Sequence, residues 1–364
     1  MTAERSHGQG SMPPGYVAAR SDAALIDFSA YGRIGVVGAD RVSYLQGLLT
    51  NDIEALRAGE GCYTAYLTPQ GRMIADMRVI DLGQELLLDV HPSVTSMLVD
   101  RLQEFVFTED VQIEDRTTTL GACGLHGPAA VGVAARVLEP DAGADQTAMW
   151  DRILTAAPEH HHRVARFENT PVIVVRSHEI GEVGITLYAA ATIMPALEGA
   201  LLREGAVPLD MSTFDLLRIE SGRPVFPADL NADTIPLEAG IEDRAISQSK
   251  GCYVGQEVII RILHRGQGRV ARRLVGLAFE TGETPPGPGT PLTSRTDGDG
   301  DEAEVGAITS SGFSHTLNRG IALAYVKREL AKPGTKLLAG GVVGQHRLPA
   351  VSYTHLTLPT IYSV

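Results

Sequence analysis

Residues 250–257 read KGCYVGQE and set the thiol of Cys252 in a glycine-flanked loop beside the ammonium of Lys250. A thiol so placed can be partly thiolate near neutral pH, the form that attacks, oxidises or ligates iron. Gly251 and Gly255 would let the backbone turn sharply and leave the sulfur accessible. Gln256 and Glu257 offer hydrogen bonds that could fix the loop or a ligand. The same residues also fit a small cysteine filling a structural turn. A second candidate is Asp76, in RMIADMRVID, which shares one face of an alternating stretch with Ile74, Arg78 and Ile80. A carboxylate on an apolar strand face can act as an acceptor or a proton-transfer group, because burial shifts its pKa. It can equally be an ion pair with Arg78.

A net charge of −13 argues against general nucleic-acid binding, which rests on an excess of Lys and Arg facing phosphates. One segment runs the other way: residues 250–273 hold Lys250 and five arginines against Glu257, a local balance of +5. An anionic ligand or partner could be steered there, or the segment could be a solvated strand face.

Several apparent motifs carry no weight. DGDGDEAE (297–304) opens like a calcium loop, but its sixth position is Glu302 and its twelfth Ile308. GQGRVA (266–271) imitates a dinucleotide fingerprint, yet it leads into a β-branched, arginine-rich segment instead of a helix. His160, His161 and His162 follow Pro158 in a polar stretch and read as a solvated loop rather than a metal site. Cys62, Cys123 and Cys252 are far apart, with no C-x-x-C spacing, and the first two lie in strand patterns as core residues.

The elements that must position these residues can be read from periodicity. With 364 residues, 44% of them hydrophobic, the chain should hold two or three domains. RIGVVG (33–38) reads as a strand, and Asp40 can cap a helix carrying Val42, Leu45, Leu48, Leu49 and Ile53 to an end near Gly59. From Cys62 to Val90 the pattern is an antiparallel meander, with Met73, Ala75, Met77 and Val79 on the face opposite Asp76. A helix over 92–107 carries Val94, Leu98, Leu102 and Phe105 on one stripe. Strands at TLGACGLHG, PVIVVRS and GITLYA alternate with helices after Pro128 and around 191–204 and 210–221. That order favours α+β, and beyond residue 268 short strands cut by Pro and Gly predict a β-barrel or sandwich.

No run approaches a membrane span and residues 1–22 lack a secretory apolar segment, so the expected address is cytoplasmic, without membrane or nucleic-acid partners. The terminal VSYTHLTLPTIYSV (351–364) breaks the style of the chain and reads as a non-native extension.

GADRVSYLQGLLTNDI (38–53), YLTPQGRMIAD (66–76), RIESGRPVF (218–226), KGCYVGQE (250–257) and VGAITSSGFSHTLNRGIALAYV (305–326) occur in the order seen in one folate-binding family. Over residues 25–350 the chain resembles the glycine-cleavage T protein (aminomethyltransferase) and its YgfZ-type relatives, the KGCYxGQE block being characteristic of the latter. The resemblance implies a T-protein-like α+β fold: intertwined subdomains over 25–265 with a break near 115–120, and a barrel over 268–350, around a central cavity for tetrahydrofolate or a derivative. It implies cofactor contacts from Asp76, Arg78, Arg223, Lys250, Tyr253, Gln256 and Glu257, with Asp76 and Cys252 as the reactive groups. Some transferase positions have departed: the Tyr and Glu that help hold the pterin fall on Glu179 and Thr186, and an arginine falls on Phe214. The YgfZ-type branch implies assistance to iron–sulfur cluster assembly or repair, reaching cluster-dependent tRNA-modifying enzymes, with assembly proteins or client enzymes as partners. Cys252 would then be at most a transient ligand, since one thiol cannot hold a cubane cluster alone. The alternative is folate-dependent aminomethyl transfer with Asp76 as acid or base.

Overall fold

The structure is a computed structural model and describes residues 12–140, 150, 158–281, 283–295, 302–340 and 348–353. The period-two stretch from residue 61 forms the antiparallel meander β3 (Gly61–Leu67), β4 (Met73–Asp81) and β5 (Glu85–Val90). With β2 (Gly32–Val37) and β6 (Gln112–Asp115) it makes a five-stranded sheet in the order β3-β4-β5-β2-β6. Met73, Ala75, Met77 and Val79 are buried in the core with Leu45 and Leu48 of helix α2 (Arg41–Leu48) and Leu98 and Leu102 of α3 (Thr95–Glu104). Alternation sends Asp76 and Arg78 to the other face of β4, where they are only partly exposed.

The chain does not stay in that sheet. After helix α1 (Pro14–Ser21), its first strand, β1 (Ala24–Asp27), belongs to a second sheet, to which the chain returns at β7 (Leu120–His126) after completing β2–β6. There it adds β8 (Glu139–Pro140), β9 (His162–Phe167), β10 (Thr170–Ser177), β11 (Gly184–Ala190) and β12 (Val207–Pro208), in the order β12-β1-β7-β11-β10-β9-β8. Helix α4 (Ala130–Val137) and the helix Met194–Arg203 cover one face through Val131, Val133, Leu197 and Leu201. The other face meets the first sheet: Ile80 and Leu87 share a core with Val175 and Tyr188, and with Phe214 and Leu217 of the helix Met211–Glu220. A cleft between two apolar faces, lined at one end by polar side chains, follows from that packing.

The Pro/Gly-cut strands after residue 268 close into a six-stranded barrel, β13 (Arg272–Thr281), β14 (Pro291–Arg295), β15 (Glu302–Ser314), β16 (Arg319–Lys327), β17 (Lys336–Ala339) and β18 (Leu348–Tyr353). The fold is therefore mixed α+β with a C-terminal barrel. Residues 351–353 of the terminal stretch continue β18, pairing with β13, while 354–364 lie outside the described residues, as do 297–301 of the acidic run.

Four local expectations are corrected by tertiary contacts. Helix α2 stops at Leu48, not near Gly59, because Lys250 reaches over its end and donates from Nζ to the carbonyls of Gln46, Leu49 and Asn51 at 2.7, 2.7 and 2.8 Å. Those are acceptors a helix end leaves open. Asp40 does not cap that helix through its side chain; its carboxylate instead accepts from the Asp110 amide. Phe105 falls past the end of α3 and is exposed. The segment after KGCYVGQE is not a strand but the helix Gln256–Ile260, continued by a π-turn over Arg261–Arg265.

Candidate functional site

The register of the first sheet builds the floor of the site. Arg78 lies opposite Tyr63 on β3 and Asp89 on β5, so the three occupy one cross-strand row, with Asp76 one pleat away. Tyr63 Oη donates diagonally to Asp76 Oδ2 at 2.7 Å. The Asp76–Arg78 pair is not formed. Arg78 turns instead to the loop after β10, holding Glu179 through Nε at 2.8 Å and Nη2 at 2.6 Å, and also lies 3.4 Å from Asp89. Tyr188 on β11 donates to Asp89 at 2.6 Å. Arg78 thus joins the two sheets.

Above this floor lies a cavity of about 790 Å³ including its mouth, lined by Tyr63, Asp76, Met77, Arg78 and Asp89 from the first sheet. Phe28, Tyr31, His91, Thr186, Glu179, Phe214, Arg218, Arg223, Pro224, Val225 and Arg244 complete it. One wall is aromatic: Phe28 stands edge-on to Tyr31 and Phe214, with ring centroids 5.2 and 5.3 Å apart. Another part of the lining is ionic. Arg244 lies over the Tyr63 ring at 4.8 Å, and both Arg223 and Arg244 face Glu159, at 3.0 and 3.7 Å.

Burial decides the electrostatics. It raises the pKa of Asp76, and the Tyr63 hydrogen bond and Arg78 charge only partly pull it back. Asp89 is raised for the same reason, against Arg78 and Tyr188. Glu179 goes the other way: burial opposes ionisation, but the bidentate Arg78 contact wins and holds it well below the carboxylate range. Burial lifts Tyr31 to about 12. The site therefore pairs a firmly ionised carboxylate with one whose proton is held more tightly, the division that acid–base chemistry uses.

Of the residues singled out from sequence, Asp76, Arg78 and Arg223 line this cavity. The three departed positions Glu179, Thr186 and Phe214 line it too. The KGCYVGQE residues do not. Tyr253 is buried in the first core, under the Lys250 ammonium at 5.3 Å. Gln256 donates back to the Gly251 carbonyl at 3.3 Å, and Glu257 is exposed in the first turn of its helix. Cys252 is exposed, whereas Cys123 is buried and Cys62 partly so. Lys250 does not serve the Cys252 thiol: its electrostatic neighbour among the thiols is Cys62, and its three protons are spent on carbonyls. Only one glycine of the loop is constrained: Gly255 has φ +83°, and a Cβ there would meet the Thr68 carbonyl at 2.5 Å, while Gly251 has open space.

The histidine run is also corrected. His160 and His162 are buried, the latter opening β9, and burial lowers both to about 4. Tyr63, Asp89, Tyr31, Arg244 and Glu159 escaped the sequence reading. Asp89, the acid that interrupts the apolar run LLLDV, carried the one signal that could have found them.

One expected result arises directly. Lys250→Met keeps the aliphatic stem but removes the three ammonium donors from the α2 end, and should lower stability by about 2–3 kcal/mol, read from the urea midpoint. A change under about 0.5 kcal/mol would deny the amine its structural role.

Comparison with known proteins adds two domain families: a GCVT N-terminal domain model matches residues 12–250, and a glycine cleavage T-protein C-terminal barrel domain model matches residues 272–351. The chain is 29% identical to a chloroplastic protein of Arabidopsis thaliana provisionally named a transferase, over 87% of this chain and 68% of that one. It is 30% identical to an aminomethyltransferase of Rubrobacter xylanophilus, over 86% of this chain and 78% of the relative. The crystal structure of the glycine cleavage system aminomethyltransferase T from Bartonella henselae superposes with a TM-score of 0.78 at 23% identity, covering 95% of this chain and 88% of that one. That likeness bears on the fold.

Proposed function

The chain belongs to the glycine cleavage T-protein family, an aminomethyltransferase-like folate-binding family, and from that premise we propose that it holds a reduced folate in the Asp76 cavity and moves a proton there during one-carbon transfer. The observation that carries this reading is Asp76 with its pKa raised by burial, lining a cavity that also holds an aromatic group and the arginines Arg223 and Arg244. The residues suit such a ligand. A flat ring would pack against the aromatic group Phe28, Tyr31 and Phe214, its polar edge would meet Asp76, Asp89 and Glu179, and an anionic tail would meet Arg223 and Arg244. Bound tetrahydrofolate would supply the nitrogens that accept the one-carbon unit. Asp76, whose Oδ2 is held by the Tyr63 hydroxyl, would take or return a proton there.

Calorimetric titration with tetrahydrofolate tests the site. Wild type should bind and Asp76→Ala should bind at least about tenfold more weakly, since a desolvated acceptor is lost. Equal binding by the two would move the ligand elsewhere.

A second reading, assistance to iron–sulfur cluster assembly or repair in the cytoplasm in the manner of YgfZ-type relatives, is favoured by Cys252. It is the exposed thiol, held on a loop anchored at Lys250 and turned at Gly255. Wild type should restore the activity of cluster-dependent tRNA-modifying enzymes in a deletion strain, and Cys252→Ser should not. Restoration by Cys252→Ser would remove the thiol from the reading.

A further inference from the structure

Beside the Asp76–Arg78–Glu179 floor lies an ion cluster formed by Arg223, Arg244 and Glu159. Arg223 and Arg244 both line the cavity, yet they come from separate segments, the turn after the Met211–Glu220 helix and the short helix Glu242–Ala245. Two guanidinium groups converging on one opening repel each other unless an anion sits between them. Here that anion is Glu159, from the segment leading into β9. Its Oε1 lies 3.0 Å from Arg223 Nη1 and 3.7 Å from Arg244 Nη2. The three side chains are 22, 22 and 36% exposed, so the cluster stands at the water boundary, where ion pairs exchange partners at small cost. Glu159 itself is not part of the cavity lining, whereas both arginines are.

We infer that Glu159 is an internal counter-ion occupying an anion subsite formed by Arg223 and Arg244, and that it sets the specificity of the cavity for ligands ending in carboxylates. A ligand reaching the arginines must displace the Glu159 carboxylate, and the affinity observed is that of the subsite less the cost of the displacement. A single tail carboxylate competes on nearly even terms with Glu159. A chain of several carboxylates can hold both arginines at once and displaces it more readily. Arg244 also lies over the ring of Tyr63, whose hydroxyl donates to Asp76.

This inference rests on the reading that the cavity takes a folate, and its test separates the two. Four probes would be titrated by calorimetry into wild type, Glu159→Gln and Arg223→Met: p-aminobenzoyl-glutamate, formyltetrahydrofolate, its triglutamate, and tetrahydrobiopterin, a reduced pterin without an acidic tail. Glu159→Gln should bind the three tailed probes about three- to tenfold more tightly than wild type, with the smallest gain for the triglutamate. Its affinity for tetrahydrobiopterin should be unchanged, and Arg223→Met should weaken the tailed probes alone. Raising the salt concentration should shrink the difference between wild type and Glu159→Gln. If no pterin binds any protein while p-aminobenzoyl-glutamate still prefers Glu159→Gln, the folate reading fails and the subsite stands. An equal change for tailed and tail-less probes, no change for any of them, or no measurable binding of p-aminobenzoyl-glutamate to Glu159→Gln overturns the subsite.

Discussion

Asp76→Asn should fold, melt at or above the wild-type temperature at pH 7, and lose about 10²- to 10⁴-fold in one-carbon transfer, the range that a positioned proton-transfer group contributes. That loss corresponds to about 2.7–5.4 kcal/mol of barrier. Both halves follow from one fact: burial raises the pKa of Asp76 above its ordinary 3.8. A folded-state value above the unfolded one means that folding takes up a proton between the two. The stability this contributes is fully present below pH 3.8 and is lost as pH rises through the folded value, so at pH 7 the ionised carboxylate works against the fold. An amide of the same shape can still accept from Tyr63 and carries no charge to desolvate. The gap in melting temperature between variant and wild type should therefore close on acidification. The measurements are a melting series across pH and a turnover assay with tetrahydrofolate and a lipoyl carrier protein. Turnover by Asp76→Asn within about tenfold of wild type would place the proton transfer on another group. An absence of turnover in wild type would remove the transferase reading and leave the binding site alone.

Asp229→Ala should destabilise the protein by about 3–5 kcal/mol, because it removes the buried one of the two carboxylates that face the buried Arg218 guanidinium and leaves only the half-exposed Asp215. Asp229 is fully buried and accepts from Arg218 Nη1, from the hydroxyls of Thr309 and Ser310, and from the Val225 amide. Arg218 completes the network with Ser310 at 2.7 Å and Asp215 at 2.7 Å. Thr309 and Ser310 belong to β15, so this one carboxylate ties the barrel to the body that carries the cavity, which Arg218 also lines. The signature to look for is a lowered urea midpoint with an unchanged slope. Replacing both partners by apolar residues, Asp229→Leu with Arg218→Met, should recover much of the loss, since no buried charge is then left alone. A double variant as unstable as Asp229→Ala would show that the hydroxyl and amide contacts, not the ion pair, carry the effect.

What could be read from the residues follows the range of the forces involved. The β4 alternation placed Met73, Ala75, Met77 and Val79 on the core side and Asp76 and Arg78 on the other, because side chains on a strand alternate whatever packs against them. The α+β order and the C-terminal barrel were legible for the same reason: periodicity and Pro/Gly breaks are local properties of the chain. The five sequence blocks, read as a resemblance, added the family, and with it the expectation that Asp76 faces a ligand.

Partner choice was not legible. Asp76 and Arg78 stand two residues apart on one face, yet Arg78 pairs with Glu179, about a hundred residues away, because only the packing of the two sheets decides which carboxylate comes within reach. Lys250 sits two residues from Cys252, but three carbonyls of a distant helix end draw its ammonium away. His160 and His162 look like a polar loop until the chain pairs with β10, His162 opposite Val175 and the His160 amide on the Arg176 carbonyl, and both side chains are buried. Sequence by itself determined the elements, their faces and the residue types available for chemistry. The tertiary structure alone decided which of those residues meet, because ion pairs and hydrogen bonds are set by separations of a few ångströms that no spacing along the chain encodes.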